Sequence, residues 1–146
     1  MKHSLYIIVV VLFISACKSR KQEPFGRVTK LEDKKWYLSS LNSQSIQQND
    51  SSKMFTLEIF SVDNAIYLNC ECDTAYGLYT AQEDFVLLNV LGRTNQNCNP
   101  PLFGEYVQQA KSANRFQIKN VNSNGIKTKQ LILFKEDAEL MRFNRK

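Results

Sequence analysis

Apolar and polar residues alternate along most of the chain after Trp36, with the period of two that is typical of half-buried β-strands. Trp36 and Leu38 begin this pattern, and Phe55, Leu57 and Ile59 continue it after a polar loop over 42–52. Later segments show the same alternation or short apolar runs between turn residues. They predict further strands at Gly77–Thr80, Phe85–Leu91, Phe116–Val121, Gln130–Phe134 and Glu139–Phe143.

Two turns and one further strand complete the expected sheet. Asp63-Asn64 can adopt positive φ and predicts a hairpin turn, and 122–125 (Asn-Ser-Asn-Gly) predicts a second turn. The strand after the first turn is expected to carry alternating side chains on one face: Ile66, Leu68, Cys70 and Cys72. The same alternation places Glu71 and Asp73 together on its opposite, solvated face.

One segment departs from the period of two. After Asn99-Pro100-Pro101, apolar residues recur at the helical spacing i, i+3, i+4 and i+7, at Phe103, Tyr106, Val107 and Ala110. We expect one helix here, with Asn99 as N-cap and Glu105 near the positive end of the helix dipole. The predicted fold class is therefore mainly β (α+β): a small antiparallel, partly closed barrel-like sheet with one helix.

The first 17 residues have a different pattern. A basic start at Lys2 precedes an apolar run over 5–14, which is too short to span a bilayer but typical of a signal peptide. The run ends at Ile14-Ser15-Ala16-Cys17, which resembles a lipobox, so we expect cleavage after residue 16 and lipid on Cys17. Two or more acyl chains would anchor the chain stably to a membrane.

These features divide the chain into three parts. Residues 1–16 are the predicted lipoprotein signal peptide, 17–35 a polar and basic flexible tether, and 36–146 a single domain. Lys18 stands where an Asp retains many lipoproteins at the inner membrane, so we expect attachment to the outer membrane, facing the periplasm. A membrane is thus one expected partner, reached through the N-terminal lipid.

The net charge and the histidine content of the chain exclude several classes of function. The net charge of +5 is a mild basic excess, and an exported protein rarely meets nucleic acid, so no nucleic-acid partner is expected. The only histidine, His3, lies in the predicted signal. Histidine-based triads, general bases and zinc sites are therefore absent from the expected mature chain, and we predict no enzyme activity and no cofactor.

Residues 72–79 are Cys-Asp-Thr-Ala-Tyr-Gly-Leu-Tyr. They resemble the Cys-Asn-x-x-x-Gly-x-Tyr signature of the META domain family of HslJ-like, heat-inducible envelope lipoproteins, with Asp73 in place of Asn and with Gly77 and Tyr79 matching. Thr94 through Cys98 is similar to its Thr-x-Met-x-Cys segment, and Glu105 matches the acidic residue of its helix. The resemblance implies a small β-rich envelope domain, often lipid-anchored, associated with stress and antibiotic tolerance.

Three cysteines remain beyond Cys17, which allows one disulfide and one thiol in an oxidising compartment. The resemblance implies a disulfide between Cys72 and Cys98, with Cys70 to Cys98 as the alternative. A metal or redox site built from these cysteines is less favoured, because histidine is lacking and the spacing is Cys-x-Cys. We therefore expect a structural disulfide and no metal.

The resulting functional hypothesis is a non-catalytic, lipid-anchored envelope protein with a binding or stress-tolerance role and a possible envelope protein partner. One alternative is a small barrel that binds an apolar ligand among its aromatic side chains: Tyr67, Tyr76, Tyr79, Phe85, Phe103 and Tyr106. A second is a secreted protease inhibitor that presents the loop 42–52. The basic C-terminal residues, Arg142, Arg145 and Lys146, are expected to form a solvated terminus, with lipid headgroups as the other possibility.

Overall fold

The computed structural model of the protein describes residues 31–47, 54–94, 100–123 and 125–145. Within these ranges the chain forms nine strands and one helix, in the order β1 (Lys34–Leu41), β2 (Gln44–Ser45), β3 (Thr56–Phe60), β4 (Ala65–Cys70), β5 (Asp73–Gln82), β6 (Phe85–Arg93), α1 (Phe103–Ser112), β7 (Arg115–Ser123), β8 (Ile126–Lys135) and β9 (Ala138–Asn144). None of the helical structure in this part of the chain is long and apolar enough to cross a bilayer.

The strands form one antiparallel sheet that closes on itself. From β3 to β9 each strand pairs with the next along the chain, and β1 pairs with both β3 and β9, which closes the ring. The predicted fold class, an antiparallel sheet with one helix, is confirmed. Short β2 adds only a hairpin on β1, through Asn42 and Ser43 with φ of 47° and 64°. Positive φ at both positions is the geometry of a tight hairpin turn.

The ring is strongly staggered between β6 and β7. These strands pair only at Phe85 and Arg115, while α1 packs against β6 and β9. The β7–β8 hairpin continues far beyond this point, and β8 pairs with β9 only from Gln130 onward. The ring therefore has a helix end, near Asn42, and a hairpin end, near the start of β1.

Large side chains fill the interior of the ring. Trp36, Phe103, Tyr106 and Phe143 are fully buried together with aliphatic residues from β1, β3, β4, β6 and β8. Tyr106 contacts Phe55 and Phe143 with ring centroids 5.4 Å and 6.3 Å apart. Aliphatic burial of this extent drives folding, since each fully buried large side chain contributes about 1.5–3 kcal/mol.

The predicted helix face is confirmed, but the N-cap is not. Phe103, Tyr106 and Ala110 are buried, whereas the N-cap position belongs to Leu102, in the left-handed conformation with φ 68° and no side-chain cap. Asn99 lies outside the described residues. The expected N-cap was wrong because Pro100 and Pro101 precede the first helical turn as a separate turn instead of opening the helix.

The strand that was expected to run from Ile66 to Cys72 ends at Cys70. Glu71 and Cys72 form a turn, with φ 25° at Glu71, and Asp73 begins β5 directly opposite Cys70. Glu71 is exposed and Asp73 is buried, so the prediction that they share a solvated strand face was wrong. The alternation of residue types continues through this turn, which is why the sequence pattern hides it.

The folded part begins earlier than Trp36. β1 starts at Lys34, Leu31 is completely buried, and the Trp36 indole N–H donates to the carbonyl oxygen of Leu31 at 3.4 Å. The C-terminal end of the predicted tether, residues 31–35, therefore belongs to the domain. Of the polar loop 42–52, residues 42–47 form the β1–β2 hairpin and the rest lies outside the described residues.

Candidate functional site

Two of the motif residues, Asp73 and Thr94, meet at the start of β5. The side chain of Asp73 is fully buried and accepts hydrogen bonds from the backbone N–H of Thr74 at 2.7 Å and from Arg93 Nε at 2.7 Å. Arg93 Nη2 also contacts the same carboxylate oxygen. Thr94 donates its hydroxyl to the other oxygen at 3.4 Å. Each oxygen of Asp73 therefore has a donor, which a buried carboxylate requires.

The Asp73–Arg93 pair also fixes the helix. The Arg93 guanidinium lies over the ring of Phe103, 4.8 Å from its centroid, at the first residue of α1. A second link joins Asn42 in the β1–β2 turn to the carboxylate of Glu105. Three motif residues, Asp73, Thr94 and Glu105, thus hold β1, β5, β6 and α1 together, and the arrangement is that of a structural clamp.

The other two motif residues have structural contacts as well. The Tyr79 hydroxyl donates to Glu32 Oε1 at 2.6 Å, and both residues are buried. Gly77 lies where the β5–β6 register shifts, and a Cβ there would be 2.0 Å from the carbonyl oxygen of Asn89. Only glycine allows this close approach of the two backbones.

The cysteines divide as one disulfide and one thiol among the described residues. Cys72 is disulfide-bonded and Cys70 is a buried free thiol. The alternative pairing through Cys70 is therefore not the one in the structure. Cys98 lies outside the described residues, so its pairing with Cys72 stays a prediction. Burial, reinforced by the charges of Glu71 and Asp73, raises the pKa of Cys70 to about 11, which keeps it protonated and unreactive.

A polar cleft of about 570 Å³ borders the disulfide. Its walls include Thr56, Asn69 and Thr74, which are joined side chain to side chain: Thr74 donates to Asn69 at 2.9 Å, and Asn69 donates to Thr56 at 3.3 Å. Glu71 and Asp73 both line this cleft, but Glu71 is exposed whereas the buried carboxylate of Asp73 is paired with Arg93. Over the described ranges, no group of His, Cys, Asp and Glu side chains could hold a metal ion.

The aromatic residues considered as a ligand-cavity lining do not converge. Tyr79, Phe103 and Tyr106 are buried in the core, whereas Tyr67, Tyr76 and Phe85 are 40%, 41% and 47% exposed on the outside. The hydroxyl of Tyr106 is buried and has no hydrogen-bond partner among the described residues. Burial raises the pKa of this phenol well above its ordinary value.

Sequence reasoning missed an apolar face on the outside of β3–β6. We define the apolar face as six side chains, each 39% to 61% exposed: Phe60, Tyr67, Tyr76, Leu78, Leu87 and Leu91. Register joins them across strands, because Tyr67 is opposite Tyr76 and the Phe60 ring is edge-on to Tyr67 at 5.6 Å. A signal was present in the sequence, since β6 is apolar at nearly every position and not at alternate ones.

No family model matches the chain, and no curated protein matches it. The chain is similar to a solved structure described as the NMR structure of a protein from Burkholderia xenovorans, with a TM-score of 0.58. The two are 20% identical, and the match covers 81% of this chain and 85% of that one. They share a fold. At 20% identity the similarity shows the fold alone and does not indicate a function.

Proposed function

We propose that the protein is a lipid-anchored envelope protein of the META type, with a non-catalytic role as a binding module. Three features of the sequence support it: the lipobox ending at Cys17, the motif from Cys72 to Tyr79, and the second motif beginning at Thr94. The proposed location is the outer membrane, facing the periplasm, with a role in envelope stress or antibiotic tolerance.

The apolar face is the observation that carries the binding role. Soluble domains rarely expose contiguous apolar patches of this kind unless the patch meets a partner. The outward positions of β4, β5 and β6, all within the described residues, carry no charged side chain: Ala65, Tyr67, Asn69, Thr74, Tyr76, Leu78, Thr80, Gln82, Phe85, Leu87, Asn89 and Leu91.

This composition favours a protein as the partner. Protein interfaces are depleted of charge at their centre and enriched in tyrosine, which offers a large rigid surface with a polar tip. An anionic membrane surface would instead select lysine and arginine. The ion pair between Lys35 and Glu58, at 2.9 Å, lies at the border of the face and forms part of a polar rim.

Photo-crosslinking in living cells tests the binding role. A photoreactive amino acid replaces Leu78 at the centre of the apolar face in the full chain, and Gln108, exposed on α1, serves as the control position. We expect a recurrent protein adduct at position 78 that is absent at position 108. Adducts with lipid alone, or the same proteins at both positions, would contradict a specific binding role.

Mass spectrometry of the protein extracted from membranes tests the anchor. The expected N-terminal peptide begins at Cys17 and carries acyl chains, and Cys17→Ala is expected to leave the signal uncleaved or the chain unlipidated. An unmodified Cys17 in membrane-extracted protein would overturn the anchor. It would not affect the binding role, which the crosslinking experiment tests separately.

A further inference from the structure

Cationic side chains from three separate segments meet at the hairpin end of the ring. Lys34 begins β1, Arg145 follows β9, and the backbone N–H of Arg145 donates to the carbonyl oxygen of Lys129 on β8 at 2.9 Å. Asn144 is opposite Tyr37 of β1 and opposite Gln130 of β8, so the three segments lie side by side at this end. Partial burial, then the charges of Arg145 and Lys129, lower the pKa of Lys34. Lys127 follows on the same face of β8, two residues farther out.

The β7–β8 hairpin extends beyond the ring, and Lys127 and Lys129 lie on this extension. Its pairing with β6 ends at Arg115, and its pairing with β9 begins at Gln130, so the outer part of the hairpin is a two-stranded projection. Ile126, at the start of β8 beside the turn, is 66% exposed. The exposed Lys127 and Lys129 follow it. An exposed isoleucine followed by exposed lysines is the pattern of an interfacial membrane contact, where apolar groups enter the headgroup layer and cations meet phosphates.

The four cations at the hairpin end, Lys34, Lys127, Lys129 and Arg145, form a cationic cluster. Lys127, Lys129 and Arg145 take part in none of the ion pairs found within the described ranges. Two acids, Glu32 and Asp33, lie beside Lys34 and act to raise its pKa. Glu32 accepts from the hydroxyl of Tyr79, and Asp33 accepts from the hydroxyl of Ser61 at 2.8 Å. Lys127, Lys129 and Arg145 are therefore the cations available to an anionic surface.

We propose that the hairpin end docks on the surface of an anionic phospholipid bilayer, with Ile126 in the headgroup layer and Lys127, Lys129 and Arg145 on lipid phosphates. The orientation rests on the proposed lipid anchor, because the chain leads from this same end, at Leu31, towards Cys17. About 14 residues separate the two, a span of at most roughly 50 Å, so the anchor permits contact. Docking in this way would leave the apolar face, on the side of the ring, accessible to a protein.

Vesicle flotation of an unlipidated chain tests this proposal apart from the anchor. The chain from residue 17 to 146 with Cys17→Ser is mixed with vesicles of phosphatidylcholine containing phosphatidylglycerol, or with phosphatidylcholine alone. We expect binding to the anionic vesicles only, decreasing as salt screens the charges. Since a lysine near such a surface strengthens binding about fivefold, Lys127→Ala/Lys129→Ala is expected to weaken it roughly 30-fold.

The matched control removes the same charge elsewhere. Lys111, in the last turn of α1, and Lys135, at the opposite end of β8, are both exposed, so Lys111→Ala/Lys135→Ala is expected to retain most of the binding. Ile126→Ser should weaken binding without changing net charge. Equal losses in both double variants would show attraction by net charge alone and overturn the docking site, as would the absence of binding to anionic vesicles. Thermal unfolding of each variant verifies that the ring is intact.

Discussion

The hydroxyl of Tyr79 on β5 donates a hydrogen bond of 2.6 Å to the buried carboxylate of Glu32, which precedes β1. The two residues are 47 positions apart in the chain, and the bond closes the hairpin end of the ring from inside. It also explains why the folded domain begins before Trp36: a buried carboxylate needs a donor, and Tyr79 supplies one.

Tyr79→Phe is expected to lower the free energy of unfolding by about 1.5–3 kcal/mol, because Glu32 stays buried and loses its donor. Urea denaturation followed by Trp36 fluorescence measures it. Tyr106→Phe is the matched control: its hydroxyl is buried without a partner among the described residues, so removing it should be neutral or stabilising. A larger loss in Tyr106→Phe than in Tyr79→Phe would contradict both assignments.

Asp73→Asn is expected to destabilise the fold by about 3 kcal/mol, the lower part of the range for breaking a buried ion pair, because the Arg93 side chain is 29% exposed. Asp84→Asn removes the carboxylate of an exposed pair with Arg115 at 2.8 Å and should change stability little. The two unfolding midpoints in urea are compared with the wild-type value. Similar midpoints for both variants would show that Asp73 is not a clamp.

Gly77→Ala is expected to shift the β5–β6 register or prevent folding, since the added Cβ would meet the Asn89 carbonyl at 2.0 Å. Gly104→Ala, in the first turn of α1, meets nothing within 4 Å and should stabilise the helix by up to about 1 kcal/mol. Thermal denaturation of the two variants should therefore move in opposite directions. A stable Gly77→Ala protein would mean that the two strands do not approach so closely.

Stability is expected to fall at alkaline pH through Cys70. The pKa of its thiol is about 11 in the fold against an ordinary 9.0, so the folded chain keeps a proton that the unfolded chain releases. The contribution is complete below pH 9.0 and is lost as pH rises towards about 11. Urea midpoints measured across this interval should fall less steeply in Cys70→Ala, and iodoacetamide should label Cys70 at neutral pH only after unfolding.

Much of the fold could be predicted because each strand has its own local pattern. Trp36 and Leu38, or Leu57 and Ile59, are buried at the alternate positions that the sequence indicates. The spacing of Phe103, Tyr106 and Ala110 likewise specifies the buried face of α1. The turn at Asn64, with φ 51°, follows from residue types that tolerate the left-handed region.

The candidate site was less predictable, because local alternation does not show where a strand stops. Glu71 and Asp73 are two residues apart and resemble neighbours on one face. A two-residue turn instead places Asp73 on the next strand, where Arg93 pairs with it. The apolar face was missed for a related reason: inward and outward positions of β6 are both apolar, so composition alone does not say which face is covered.

The sequence by itself determined an antiparallel β domain with one helix, and the buried face of elements with clear periodicity such as β1, β3 and α1; the lipoprotein N-terminus stays a prediction. Only the tertiary structure decided which charges meet, which thiol is free, and which apolar residues stay exposed. The physical reason is that the side-chain period of a strand, two residues, and that of a helix, 3.6 residues, depend only on residues close together in the chain. Register and ring closure instead join residues as distant as Lys34, Lys129 and Arg145, and these contacts exist only once the whole sheet has formed.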